Sequence, residues 1–328
     1  MPKATIIGNT TWGKTLGALL SAKGIAVKLW TRSEAEAEEL NQGKHSYSST
    51  SHIGEALKGA GLVIWAVPSQ KLRQNISLTQ GYLTDSMLLI SAAKGLEANS
   101  GKRMSQVMAE EIAPALQQQI CVLSGPNLAK EIAQGLPAAS IIASHNITIA
   151  ERARELMHSP NFLLFTSDDI IGVELGGALK NIIALGAGMV DGLSLGDNAK
   201  AAFITWGWAE AVSLGVSLGA KASTFYDLAG LGDLIATCSS TLSRNHYVGC
   251  ELAKGRSLSE ISASMSQVAE GVHTAKAVQQ LAQNLNLEAP IANLIYEILF
   301  ENLPLSQALA RFGELIGSHQ QPSLNKTL

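Results

Sequence analysis

Short, continuous apolar runs separated by helical periodicity dominate the first half of the chain. Ala4-Thr5-Ile6-Ile7 leads directly into Gly8-Asn9-Thr10-Thr11-Trp12-Gly13; Leu16, Leu19 and Leu20 then share one helical face, and Gly24 supplies a stop. Ala26-Val27-Lys28-Leu29-Trp30 predicts a second strand. Ser33 and Glu36 have the capping-box spacing that opens a charged, solvent-facing helix. Residues 62–67 and 87–91 are continuous apolar runs, the second closing on Ser91, and are bounded by turn residues, the pattern of strands buried on both faces of a parallel sheet. Residues 120–123 and 139–143 add two more strands. Strands alternating with helices predict an α/β fold whose N-terminal part is a doubly wound, Rossmann-type domain.

From about residue 168 strand-like runs give way to long segments rich in small residues, among them 174–190, 198–218 and 268–285. These predict an all-α C-terminal domain with close helix packing. The expected organisation is therefore a dinucleotide-type domain over residues 1–167, a helical domain over 168–318, and a polar tail over 319–328.

Composition agrees with two buried cores. At 328 residues the chain is long for a single core, and 46% hydrophobic against 16% charged residues excludes a disordered chain. A formal net charge of −3 gives no electrostatic reason to expect nucleic acid or an anionic membrane as partner. Any bound phosphate must then be gripped by a few local cations and backbone amides. The first residues read as a strand and not as a secretory leader, and no apolar run is expected to approach the ~18 residues of a spanning helix. Cys121, Cys238 and Cys250 lack metal-ligand spacing and read as reduced packing residues of a cytoplasmic protein. The seven histidines are scattered, and no metal is expected.

The chemistry concentrates in a few places. Leu175-Gly176-Gly177-Ala178-Leu179-Lys180-Asn181 puts a lone ammonium, followed by an amide, inside an apolar helical run, where burial without a partner is costly. Gly8-x-Thr10-x-x-Gly13 is an altered G-x-G-x-x-G turn between a strand and a helix. Its first and last glycines suit the tight turn and close packing. Thr10 narrows the approach of a pyrophosphate, although its hydroxyl could itself contact phosphate. The second strand ends Trp30-Thr31-Arg32 with no carboxylate, which favours NADP over NAD. Ser91-Ala92-Ala93-Lys94 and Ser124-Gly125-Pro126-Asn127 place a second lysine and further amides past the carboxyl ends of strands. Gly232-Asp233 sets a carboxylate in an apolar, glycine-rich turn, where it needs a cation such as Lys180. Ser243-Arg244-Asn245 adds a guanidinium suited to forked phosphate recognition. Hydride transfer to a carbonyl requires a proton donor at the developing alkoxide. A desolvated lysine steadied by a carboxylate meets that need.

These residues together resemble the bacterial type of NAD(P)-dependent glycerol-3-phosphate dehydrogenase, over almost the whole chain. Besides the turn and Lys94 segments, the resemblance is carried by Ser124-Gly125-Pro126-Asn127-Leu128-Ala129-Lys130-Glu131 and Gly172-Val173-Glu174-Leu175-Gly176-Gly177-Ala178-Leu179-Lys180-Asn181. Gly196-Asp197-Asn198-Ala199-Lys200, Leu228-Ala229-Gly230-Leu231-Gly232-Asp233-Leu234, Ser243-Arg244-Asn245 and Glu270-Gly271-Val272-His273-Thr274-Ala275 complete it. It implies reversible reduction of dihydroxyacetone phosphate to sn-glycerol 3-phosphate, a phospholipid precursor, with Lys180 transferring the proton. It implies Lys94, Gly125, Asn127, Asn181, Asp233, Thr237, Ser243, Arg244 and Asn245 as substrate-binding groups. The cofactor, NADP or NAD, would be held by Gly8, Thr11, Trp12, Gly13, Arg32, Lys94, Ala129, Arg244, Val268 and Glu270. A homodimer is the implied assembly. The chain departs from the family pattern at Thr10 (usually glycine), Thr11 (usually a smaller residue), Asn127 (usually threonine or serine) and Trp206 (usually arginine). Trp206 and Trp208 are expected to pack between helices, and His246 and Tyr247 to serve packing or surface roles. Two other readings stay open at this level. One is an enzyme of the same architecture acting on another hydroxy acid or sugar phosphate; the other is a nucleotide-binding regulator that has lost catalysis.

Overall fold

The computed structural model describes residues 3–43, 45–265 and 269–318. They form two compact units, one of described residues within 3–94 and 103–174, the other of described residues within 95–102 and 175–318.

The first unit is built on eight strands: β1 (Lys3–Ile7), β2 (Ala26–Trp30), β3 (Ser48–Thr50), β4 (Leu62–Trp65), β5 (Leu88–Ser91), β6 (Ile120–Ser124), β7 (Ala138–Ala143) and β8 (Phe162–Ser167). They lie in the order β3-β2-β1-β4-β5-β6-β7-β8. Every pairing is parallel except β6 with β7. The apolar runs form central strands because both faces are covered: Ile6, Ile64 and Ile90 have no exposed surface. Strand order reverses beside β1, where Ile7 is level with both Trp30 of β2 and Trp65 of β4. Ligands of such sheets bind outside the carboxyl ends of the strands at this reversal.

Two strands escape the sequence pattern. β3 is only three residues, all hydroxylic, and pairs at the sheet edge. β8 is apolar but half-exposed: Phe162 and Leu164 are buried, whereas Leu163 and Phe165 are 40% and 51% exposed, so its burial alternates as at a sheet edge. The first helix, Thr11–Ala22, ends before Gly24 at φ 79°. Of the expected capping box at Ser33, one bond is present: Ser33 Oγ accepts from the Glu36 amide.

The second unit is helical. Helix Ile170–Gly192 enters it at Leu175, after a first turn that belongs to the first unit. That first turn is held by Glu174, whose buried carboxylate accepts from the Ser105 amide at 2.6 Å and from Arg103 at 2.5 Å. Residues 172–190 are buried on every face. By length and composition this helix could cross a membrane, which corrects the sequence expectation. Counting uninterrupted apolar residues stops at Glu174 and Lys180, whereas the best 18-residue window tolerates them and averages a hydropathy of 1.5. Of that window 94% is buried inside the protein, so its apolarity is that of a core helix.

Glycines let its neighbours approach. A Cβ on Gly188 would lie 2.1 Å from the His246 carbonyl oxygen, and one on Gly249 would lie 2.0 Å from that of Leu185. Helix Arg244–Ala253 therefore packs backbone to backbone against helix Ile170–Gly192. Helix Asp197–Ser217 approaches through Gly186, which faces the Phe203 ring. The tail from His319 lies outside the described residues.

Candidate active site

In the first unit the expected residues gather at the carboxyl ends of the parallel strands. Gly8 adopts φ 124°, and a Cβ there would meet the Ala66 carbonyl oxygen at 2.7 Å, so only glycine fits. Gly13 has no room either, since its Cβ would lie 2.3 Å from the Gly8 oxygen. Thr11 is exposed at the start of the first helix. Trp12 stands edge-on to Phe162 with ring centroids 6.2 Å apart. The Thr10 hydroxyl, a possible phosphate contact on sequence grounds, is engaged within the protein. It donates to the Ala66 oxygen at 2.7 Å and accepts from the Gly13 amide at 3.0 Å.

Arg32 is exposed just beyond β2. Past β5, Lys94 Nζ donates to the Gly125 oxygen and to Asn127 Oδ1, both at 2.7 Å and both past β6. Gly125 is held at φ 144°, where a Cβ would strike the backbone of Ser140. The Asn127 amide is thereby oriented: its oxygen faces the ammonium, and its buried Nδ2 has no protein partner. Ala129 opens the short helix Ala129–Ala133 and accepts at its carbonyl from Thr15 Oγ1 at 3.3 Å.

In the second unit Lys180 is 5% exposed and Asp233 2%. Lys180 Nζ lies 2.8 Å from Asp233 Oδ1 and also donates to Thr237 Oγ1. The spacing of Asp233 and Thr237 puts both on one face of helix Asp233–Ser239, and Thr237 is fixed by donating to the Asp233 carbonyl at 2.6 Å. A buried ammonium and carboxylate compensate one another only when their remaining hydrogen-bonding capacity is met, and the threonine supplies part of it.

Asn181, next to Lys180, accepts at Oδ1 from Asn245 Nδ2 at 2.8 Å. Asn245 Oδ1 in turn accepts from the Gly271 amide at 2.9 Å. Both amide groups are thus oriented by a relay running from one helix to the start of helix Glu270–Leu285. Gly271 was not anticipated as a site residue; the signal was a glycine at a helix start, where a Cβ would come within 2.6 Å of the Asn181 oxygen. Ser243 caps helix Arg244–Ala253 by accepting from the His246 amide. Arg244 is exposed overall, yet enough of it is shielded that desolvation draws its guanidinium below the usual range, with Glu270 pulling the other way. Val268 lies outside the described residues.

Other residues resolve differently. His246, expected in packing or at the surface, joins a polar cluster: its Nε2 is 2.6 Å from Asp191 Oδ2, which Lys200 Nζ also meets at 2.5 Å. Burial would raise the Asp191 carboxyl, but these two partners hold it below its ordinary value. Trp206 is half-buried on helix Asp197–Ser217, while Trp208 is buried against Phe225 with centroids 5.5 Å apart. Cys121 and Cys238 are free and buried, and burial pushes both thiols up to about 12.

Two family models match the chain. Residues 3–150 match the N-terminus of NAD-dependent glycerol-3-phosphate dehydrogenase, and residues 169–310 match its C-terminus. A glycerol-3-phosphate dehydrogenase [NAD(P)+] of Dehalococcoides mccartyi is 51% identical over 98% of this chain and 93% of its own length. Another of the same description, from Chlorobium phaeobacteroides, is 41% identical over 94% and 96%. Among solved structures, glycerol-3-phosphate dehydrogenase of Coxiella burnetii superposes with a TM-score of 0.89 at 32% identity, covering 95% of this chain and 99% of that one.

Proposed function

The chain belongs to the NAD-dependent glycerol-3-phosphate dehydrogenase family, and from that premise we propose how its residues divide the work. It reversibly reduces dihydroxyacetone phosphate to glycerol 3-phosphate with NAD or NADP. In the proposed division, residues 1–167 hold the dinucleotide and residues 168–318 supply the substrate and proton-transfer groups.

The residues at the strand ends fit a dinucleotide. Gly8 and Gly13 leave no space for side chains in the turn, and the buried Trp12 Nε1 and Asn9 Oδ1 have no protein partner. Gly8, Thr11, Trp12, Gly13, Arg32, Lys94 and Ala129 would hold it, joined by Arg244 and Glu270. When bound, the nicotinamide supplies or takes up the hydride. Arg32 at the end of β2, with no carboxylate in that place, supports a preference for NADP.

Lys180 holds the proton at Nζ and delivers it to the substrate oxygen as negative charge develops there; in the reverse direction the amine accepts it. Asp233 and Thr237 keep that nitrogen in one place and provide the charge balance for an ammonium in a dry setting. Asn181 and Asn245, oriented by the Gly271 amide, offer fixed polar groups for the substrate hydroxyls. The phosphate is assigned to Arg244, with Ser243 beside it. Lys94, Gly125 and Asn127 form a further polar group for the substrate, with Asn127 Nδ2 its donor.

The observation that carries this reading is the buried Lys180–Asp233–Thr237 cluster. The product would feed phospholipid synthesis, the free cysteines support a cytoplasmic setting, and the assembly is taken to be a homodimer. The test is an assay of nicotinamide absorbance with dihydroxyacetone phosphate. Oxidation of NADPH should be faster than that of NADH; no oxidation of either would end the proposal.

A further inference from the structure

Where this chain departs from the glycine fingerprint, the substitute residue does something a glycine could not. Thr10 caps the first helix with φ −104° and ψ 162°, an extended conformation open to any residue, so the turn itself does not demand glycine there. Its hydroxyl uses both of its capacities inside the protein, donating to the Ala66 oxygen and accepting from the Gly13 amide. Ala66 directly follows β4, and its own amide donates to the Ile7 oxygen at the end of β1 at 2.9 Å. Both polar backbone groups of residue 66 are therefore tied to the segment that makes the turn. That tie crosses the gap between β1 and β4, where the strand order reverses.

We infer that Thr10 is a positioning residue for the cofactor turn: its hydroxyl is a clasp that fastens the β1–helix turn to the end of β4 before any ligand arrives. The inference rests on the dinucleotide reading above. A glycine at this position would leave the Ala66 oxygen and the Gly13 amide without these partners and would widen the conformational freedom of the turn. Binding would then have to order the turn as well as fill it. The clasp also engages one helix-start amide, so its contribution to affinity comes through preorganisation and not through a contact to phosphate.

The test compares Thr10→Ser, Thr10→Val and Thr10→Gly in the full chain, by equilibrium titration with NADPH and by hydrogen exchange of the segment 8–16 without cofactor. Thr10→Val and Thr10→Gly should weaken NADPH binding roughly fivefold to tenfold and speed exchange of the turn. Thr10→Ser, which keeps the hydroxyl, should stay within about twofold of the unaltered chain. In steady-state assays the loss should fall on KM for the cofactor and not on kcat. Full or improved NADPH affinity in Thr10→Gly, or a Thr10→Ser that behaves like Thr10→Val, overturns the clasp while leaving the functional reading standing. Failure of the unaltered chain to bind either dinucleotide overturns both.

Discussion

Lys180, the proposed proton donor, shows why residue identity alone does not give a side chain its chemistry. The same lysine on a solvated face would be one more mobile cation; buried among Asp233 and Thr237, its nitrogen has a defined place and a fixed set of partners. Replacing it with alanine should lower kcat by roughly 10²- to 10⁴-fold, the range of a lost general acid. NADPH affinity, measured by titration, should hardly change, because Lys180 is proposed for proton transfer and not for holding the cofactor. A variant with unaltered turnover would remove Lys180 from the mechanism. Arg244 is proposed for a different contribution, binding the phosphate. Its guanidinium can meet a phosphate with two parallel bonds, and its partial shielding from water strengthens them. Arg244→Ala should raise KM for dihydroxyacetone phosphate about tenfold to a hundredfold, as expected for a lost charge-assisted bond. Little change in KM would mean that the phosphate binds at another group.

At the scale of elements, the helices bearing these residues are placed by what is absent from their surfaces. Gly188 and Gly249 allow helices Ile170–Gly192 and Arg244–Ala253 to touch at their backbones, which brings Asn181 within reach of Asn245. Gly249→Ala puts a methyl group 2.0 Å from a backbone oxygen that cannot swing aside. The strain should cost on the order of 1–3 kcal/mol or more, read as a lower urea midpoint, and should reduce activity by disturbing the asparagine relay. An unchanged midpoint would show that the helices can separate freely. A second element is clipped by a carboxyl group: Glu210 accepts from the amides of Ile291 and Ala292 at 2.7 and 2.9 Å, at the start of helix Pro290–Phe300. Burial pushes this carboxyl up to about 7, although both amides pull it down. With its folded value above the ordinary 4.5, the folded state binds the proton more tightly than the unfolded one. Its contribution to stability is therefore fully present below about 4.5 and is lost as pH rises through about 7. Unfolding curves across that window should show this slope in the unaltered chain and a shallower one in Glu210→Gln. Equal slopes would assign the pH dependence to other groups.

For the molecule as a whole, the sequence by itself determined most of the local architecture. β2 spans the same five residues that the pattern marks, and the glycine turn, Lys94, Lys180, Asp233 and Arg244 stand out as residues whose type is at odds with their apolar or turn surroundings. These signals are legible because strand and helix periods, caps and the cost of burying charge are all written within a few residues of one another. β3 and β8 were not legible, since three hydroxylic residues and a half-exposed apolar run become strands only when a neighbouring edge accepts them. The apolar helix Ile170–Gly192 was equally ambiguous, because apolarity suits a lipid or a protein core alike, and only its burial distinguishes the two. The pairings were decided by tertiary structure: Lys180 with Asp233 across 53 positions, Asn181 with Asn245 across 64, Thr10 with Ala66 across 56. Each depends on how closely two backbones approach, and that distance is set by glycines and small side chains on both partners at once, a property no single stretch of sequence contains.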